Sequence, residues 1–114
     1  MKNVLIFALT LCAILFTATA QDDTVQQSQI KVNGACGMCK ARIEKAMKID
    51  GVAKSQWNKT TKVLAVSYKP SVITIDSLQH RLALVGHDTE IYKAADSVYA
   101  ALPPCCHYRT EPTH

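Results

Sequence analysis

Two cysteines stand three residues apart in "VNGACGMCKARIEKAM", Val32 to Met47. At this spacing Cys36 and Cys39 can close a disulfide, cycle as a redox pair, or hold a metal ion. A second group follows near the end of the chain, where Cys105, Cys106 and His107 are consecutive after Pro103-Pro104. Neither pair is good disulfide material. A Cys-x-x-Cys bridge closes a small loop and restricts the unfolded chain little. Adjacent cysteines bridge only through a strained eight-membered ring. Bridges between the two pairs stay open as a reading, beside reactive thiols and metal-binding thiols.

The first twenty residues belong to a different argument. They carry one early charge (Lys2), an apolar run from Val4 to Phe16, and a small-residue ending, Ala18-x-Ala20. This pattern predicts a secretory signal peptide over residues 1–20, cleaved before Gln21. The run is too short to span a membrane and no stop-transfer charges follow it. Cys12 is a poor lipidation site, because bulky Leu11 precedes it, and it leaves with the signal. The expected location is periplasmic or secreted, without membrane insertion after cleavage. Of the 114 residues, 94 then remain, enough for one small domain. Without Lys2, 12 Lys+Arg oppose 9 Asp+Glu, and this +3 is too mild and scattered to argue nucleic-acid binding. In an exported chain the default for the four remaining cysteines is disulfide bonding.

The elements that would position the thiols follow from patterning. Residues 21–29 are a polar leader. Ile30 and Val32 alternate in a short strand that ends at Asn33-Gly34. Ile43, Ala46 and Met47 recur at helical spacing among Lys40, Arg42, Glu44, Lys45 and Lys48, predicting an amphipathic helix from about Met38 to Ile49. Asp50-Gly51 ends it. "VAKSQWN" and "KVLAVSY", joined by Lys59-Thr60-Thr61, read as a hairpin whose second strand Pro70 breaks. Thr74 can cap a second helix, with Asp76 in its first turn and Ile75, Leu78, Leu82 and Val85 as its apolar stripe. Gly86 stops that helix, and "HDTEIYKA" supplies a last strand. The order strand–helix–strand–strand–helix–strand predicts an α+β, ferredoxin-like βαββαβ sandwich, a four-stranded antiparallel sheet with two helices on one face. This domain would run over residues 30–93. Residues 94–114 form an extension beyond it, with a brief helix over Asp96 to Leu102 stopped by Pro103-Pro104.

Once the elements are in this order, the motif resembles that of the heavy-metal-associated domains, found in copper chaperones, in metal-pumping P-type ATPases and in the periplasmic mercury-binding protein. The shared marks are "GACGMC" at the first strand-to-helix loop, "KARIEKAM" after it, "IDGV" into the second strand and "LALVGHD" into the fourth. Three departures stand out. The family usually places Met and Thr ahead of the first cysteine, where this chain has Gly34 and Ala35. His87 follows the second-helix glycine, where Tyr or Lys is usual. The Cys-Cys-His tail is not part of the general pattern. Met38 is expected to pack under the loop in place of the missing methionine.

On such a fold Cys36 lies in the loop and Cys39 in the first helical turn, so both sulfurs project from one end of the domain. The helix N-terminus, with Lys40 and Arg42 nearby, would lower their pKa values. Two thiolates suit a soft ion, Cu(I) first and Hg(II) next, held tightly yet able to pass to another dithiol. Zn(II) would want four ligands, and Cys105, Cys106, His107 or His87 could complete a set. The resemblance places His87 nearest the cysteine loop, as an accessory ligand or tuning group. For Cys105 and Cys106 the readings are a second soft-metal site or an extension of the first, a disulfide, or free thiols of no special role. Trp57 and Met47 read as core.

The expected function is therefore binding of a soft heavy-metal ion through Cys36 and Cys39 for transfer or sequestration. A membrane metal transporter or P-type ATPase is the implied partner, with the rim of Lys40, Arg42 and Lys45 as a docking surface. Two alternatives stand beside it. "CGMC" is superficially similar to the "CGPC" of thioredoxins, which would make the chain a thiol-disulfide oxidoreductase. However, Met38 replaces the proline, no Trp precedes Cys36, and the element order differs. The other alternative is an interaction or sensor module that a metal only stabilises. No Ser-His-Asp set, carboxylate pair or phosphate loop points to any other enzyme.

Overall fold

The computed structural model describes residues 24–109. The expected signal peptide with Cys12, the leader residues 21–23 and the last five residues, His114 among them, lie outside that range. Three strands, β1 (Gln26–Lys31), β2 (Val52–Trp57) and β3 (Val63–Tyr68), form one antiparallel sheet in the order β1-β3-β2. Ile30 pairs with Leu64 across one edge of β3, and Trp57 pairs with Leu64 across the other. Leu64, Val66 and Tyr68 alternate onto the covered face, with Ala65 exposed between them. Helix α1 (Gly37–Ala46) lays Ile43 on that face, followed by Met47 at its C-terminal cap, and α2 (Ile75–Leu84) adds Leu78 and Leu82. The Thr74 hydroxyl accepts from the Ser77 N–H at 3.1 Å and so caps α2 as expected. Among the described residues no helix is long and apolar enough to cross a membrane.

Three features differ from expectation. Strand β1 starts at Gln26, inside the segment read as a polar leader. Its backbone pairs with β3 as far as Gln26 opposite Tyr68; Gln27 and Gln29 alternate onto the open face, and Gln26, at the strand's end, is exposed too. The sheet has three strands, not four. The segment after α2 makes a single bridge, Thr89 to Val32, on the outer edge of β1. Beside that bridge the Asn33 N–H donates to the Asp88 carbonyl at 2.9 Å. The segment then turns on itself, the Thr89 N–H donating to the Tyr92 carbonyl at 2.8 Å and the Ala94 N–H to the Asp88 carboxylate at 2.8 Å. Backbone donors spent inside such a turn are not available to extend a ladder along β1.

The third difference is the tail. It packs into the body of the domain instead of trailing from it. Helix α3 (Asp96–Ala100) and a 3-10 turn (Pro104–Cys106) bring Tyr99, Leu102 and Cys106 into the same core as Leu78 and Leu82. Gly86 makes room for this: it has φ +108°, and a Cβ there would stand 2.9 Å from the Leu102 side chain.

Candidate metal centre

The loop between β1 and α1 is held open from below by Trp57. The Trp57 indole N–H donates to the Val32 carbonyl at 3.0 Å. Its ring edge lies so close to Gly34 that a Cβ there would meet it at 2.9 Å. Trp57 thus fills the space under the loop, and Gly34 stands where only a hydrogen fits. Met38 does not take that place. It is 55% exposed and turns outward, because the ring already occupies the floor. Helix α1 is tied to β2 at the same point, as the Glu44 carboxylate accepts from the Trp57 N–H at 2.9 Å and from Lys40. Lys40 also donates to the Trp57 carbonyl at 3.0 Å. Lys40 therefore braces the helix and is not free to serve the thiols or a docking rim.

Cys36 caps the N-terminus of α1, and Cys39 sits in its first turn, fully buried. The Ala35 N–H donates to the Cys39 sulfur at 3.4 Å. The two sulfurs are 3.7 Å apart. The tail brings two more: Cys105 Sγ lies 3.1 Å and Cys106 Sγ 3.5 Å from Cys36 Sγ. Cys36, Cys39 and Cys106 form a group whose sulfurs all lie within 4.8 Å of one another. Cys105 falls outside that group, exposed at the rim, with its sulfur 3.4 Å from the Met38 thioether. The four cysteines among the described residues are free of disulfides.

Burial lifts the Cys36 thiol, but hydrogen bonds from Cys105, the Cys39 backbone, Cys106 and the Cys39 thiol outweigh it and bring its pKa down to about 7. Sulfur neighbours do this, where sequence reasoning assigned the effect to the helix terminus with Lys40 and Arg42. Burial pushes the Cys106 thiol up, reinforced by its bonds to Cys39 and Cys36. Cys105 is raised by its bond to Cys36. Of the thiols at this end of the fold, Cys36 is the one whose pKa is lowered, while those of Cys105 and Cys106 are raised.

His87 and His107 are not among the converging ligand atoms. His87 is fully buried, with Nδ1 2.8 Å from the Asn33 carbonyl, so that nitrogen carries the proton. Nε2 is buried without a hydrogen-bond partner. Burial, the largest effect, lowers its pKa and keeps the ring neutral. The ring stacks on Tyr108 at 5.7 Å and pins the cysteine loop to the loop after α2. His107 lies against the Tyr99 ring, centroids 5.2 Å apart.

The residues that place the tail were not visible in the sequence reading. Arg109 grips both oxygens of Asp88, at 3.0 and 2.7 Å, and adds Asp96 at 3.1 Å and the Ala94 carbonyl at 2.8 Å. Its guanidinium also lies over the Tyr99 ring, 4.3 Å from the centroid. The Tyr108 hydroxyl donates to the Gly86 carbonyl at 2.6 Å and accepts from the Asp88 N–H at 2.9 Å. No motif marks these pairs; only a possible charge match of Arg109 with some carboxylate could have been anticipated.

No family model matches the chain. Over 56 residues, 48% of its length, it is 36% identical to the copper-exporting P-type ATPase of Staphylococcus saprophyticus, and it spans 7% of that protein. In structure it is similar to the CopZ metallochaperone, with TM-score 0.54 and 29% identity over 56% of this chain and 98% of that one. It is also similar to the N-terminal domain of a potential copper-translocating P-type ATPase from Bacillus subtilis, solved in its Cu(I)-loaded state. There the TM-score is 0.56, with 26% identity over 66% of this chain and 96% of that domain. The resemblance to heavy-metal-associated domains therefore holds in fold as well as in motif, and its neighbours are carriers of metal.

Proposed function

We propose that this protein is an exported carrier of a soft heavy-metal ion, Cu(I) first among candidates and Hg(II) next, with Cys36 and Cys39 as the thiolates that take up and release it. The observation that carries this reading is the convergence of sulfur at one end of the fold. Cys36 and Cys39 stand 3.7 Å apart on the first turn of α1, and one of them reaches solvent. Soft thiolates select ions of this class, and a partly exposed ligand, Cys36, lets an incoming dithiol displace them one at a time. Similarity to an ATPase metal-binding domain and a metallochaperone supports hand-over to a membrane transporter. The apolar run from Val4 to Phe16 with its Ala18-x-Ala20 ending supports export to the periplasm or beyond the cell.

The test is a competition titration of the reduced chain against a Cu(I) chelator, repeated with Hg(II) and Zn(II). Cys36→Ser and Cys39→Ser should each lose stoichiometric soft-ion binding. Undiminished binding in both variants would refute the reading and return thiol-disulfide exchange to the front.

A further inference from the structure

The tail brings a buried thiol to a loop that, on its motif, has only two. We propose that Cys106 is a third ligand, so that the ion is held by Cys36, Cys39 and Cys106 together in a three-sulfur centre built from both ends of the domain. This rests on the carrier reading above and adds to it a ligand that the Cys-x-x-Cys motif does not supply.

Two independent sets of observations support it. The first is spacing. With metal–sulfur bonds of about 2.3 Å, a linear two-ligand site needs its sulfurs about 4.6 Å apart and a trigonal site about 4.0 Å. Cys36 stands 3.7 Å from Cys39 and 3.5 Å from Cys106, and the three sulfurs lie within 4.8 Å of one another. These separations fall short of a linear pair and suit a site with more than two sulfurs, trigonal or, at about 3.8 Å, tetrahedral; burial and convergence limit the set to three. The second is placement. Cys106 is fully buried, and its N–H donates to the Pro103 carbonyl at 2.8 Å within a turn that Pro104 opens. Leu102 before it fills the space over Gly86, and Arg109 after it grips Asp88. A thiol fixed on both sides arrives without an ordering cost at the moment of binding. Cys105, its neighbour, brings its sulfur to 3.1 Å from Cys36, but it is exposed, contacts the Met38 thioether at 3.4 Å and lies outside the group whose three sulfurs converge.

The test counts sulfurs. Cu(I), supplied as its chelator complex to the reduced full chain, is followed by copper K-edge absorption and by retention against the chelator. Three sulfurs are expected in the unmodified protein and in Cys105→Ser, which changes an exposed residue and leaves the core intact. Cys106→Ala should hold Cu(I) with two sulfurs and lose at least tenfold in retention. Should Cys106→Ala fail to fold, judged by its near-ultraviolet Trp57 signal, the count in Cys105→Ser decides alone. Two sulfurs in Cys105→Ser would transfer the third position to Cys105 and overturn the proposal, as would two or four in the unmodified protein. Those counts leave the carrier reading standing. Absence of stoichiometric binding in the unmodified protein, or undiminished binding in both Cys36→Ser and Cys39→Ser, would instead overturn the carrier reading itself.

Discussion

The two cysteine pairs share a plan and differ in how they are held. Each has one buried thiol, Cys39 or Cys106, and one that reaches the surface, Cys36 or Cys105. The first pair rides on the N-terminal turn of a ten-residue helix whose inner face is core, and Trp57 fixes the loop from beneath. The second rides on a turn of three residues that has almost no regular structure to support it. Its position comes from single side chains: Leu102 over Gly86, Tyr108 on Gly86 and Asp88, and Arg109 on Asp88. A helix spreads the task of positioning over many backbone bonds, whereas a clamp concentrates it in a few. The second pair should therefore be the easier one to displace without unfolding the domain.

The largest test of that contrast is Trp57→Ala. Removing a fully buried ring should cost about 3–5 kcal/mol in denaturant unfolding, and the first pair should be lost together with the fold. A cost below about 1 kcal/mol would mean that the loop does not rest on Trp57.

Arg109→Ala should cost less, about 1.5–3 kcal/mol for its charged hydrogen bonds. It should release the tail while β1, β2 and β3 keep their amide protection in hydrogen exchange. Global unfolding of this variant would erase the distinction between the two pairs. The same clamp is sensitive to acid. Burial raises the Asp88 carboxyl, but the bonds from Arg109 and the Ala94 N–H outweigh it and hold it below the usual carboxylate range. Its contribution is thus full above the ordinary value of about 3.9 and is lost as pH falls through the lower folded value. Exchange protection at Cys106 and His107 should drop in that acid window ahead of the sheet, and Asp88→Asn should remove the step. Equal loss across tail and sheet would contradict a local clamp.

The smallest effect is expected at Met38. Because it faces outward, Met38→Leu should move stability by no more than about 0.5 kcal/mol. A loss of several times that would show that Met38 supports the loop after all.

The first pair was legible in the sequence because its supports are local. Helix α1, the hairpin of β2 and β3, the Thr74 cap and the Gly86 stop each leave a mark within a few residues. Met38 was misplaced because the occupant of the floor, Trp57, comes from a strand distant in sequence, and nothing near Met38 records it. The fourth strand was misread for a similar reason. "HDTEIYKA" has the composition of a strand, but Asp88 and Thr89 spend their hydrogen bonds on Ala94, Tyr92 and Arg109. The brief helix ahead of Pro103 was readable, while its docking was not. Three or four side-chain matches across more than ten residues carry no periodicity for a reader to find.

One distance has a consequence for the unfolded chain. The sulfurs of Cys36 and Cys106 approach to 3.5 Å although 70 positions separate them. Any covalent or coordinate link between them makes a ring of almost the whole described chain. In the chain-entropy account, cross-linking a ring of that size removes freedom worth about 4 kcal/mol from the unfolded ensemble. A cargo ion bridging these sulfurs would then act as a removable staple. The loaded protein would melt higher than the empty one, and giving up the ion would return the chain to its less stable form.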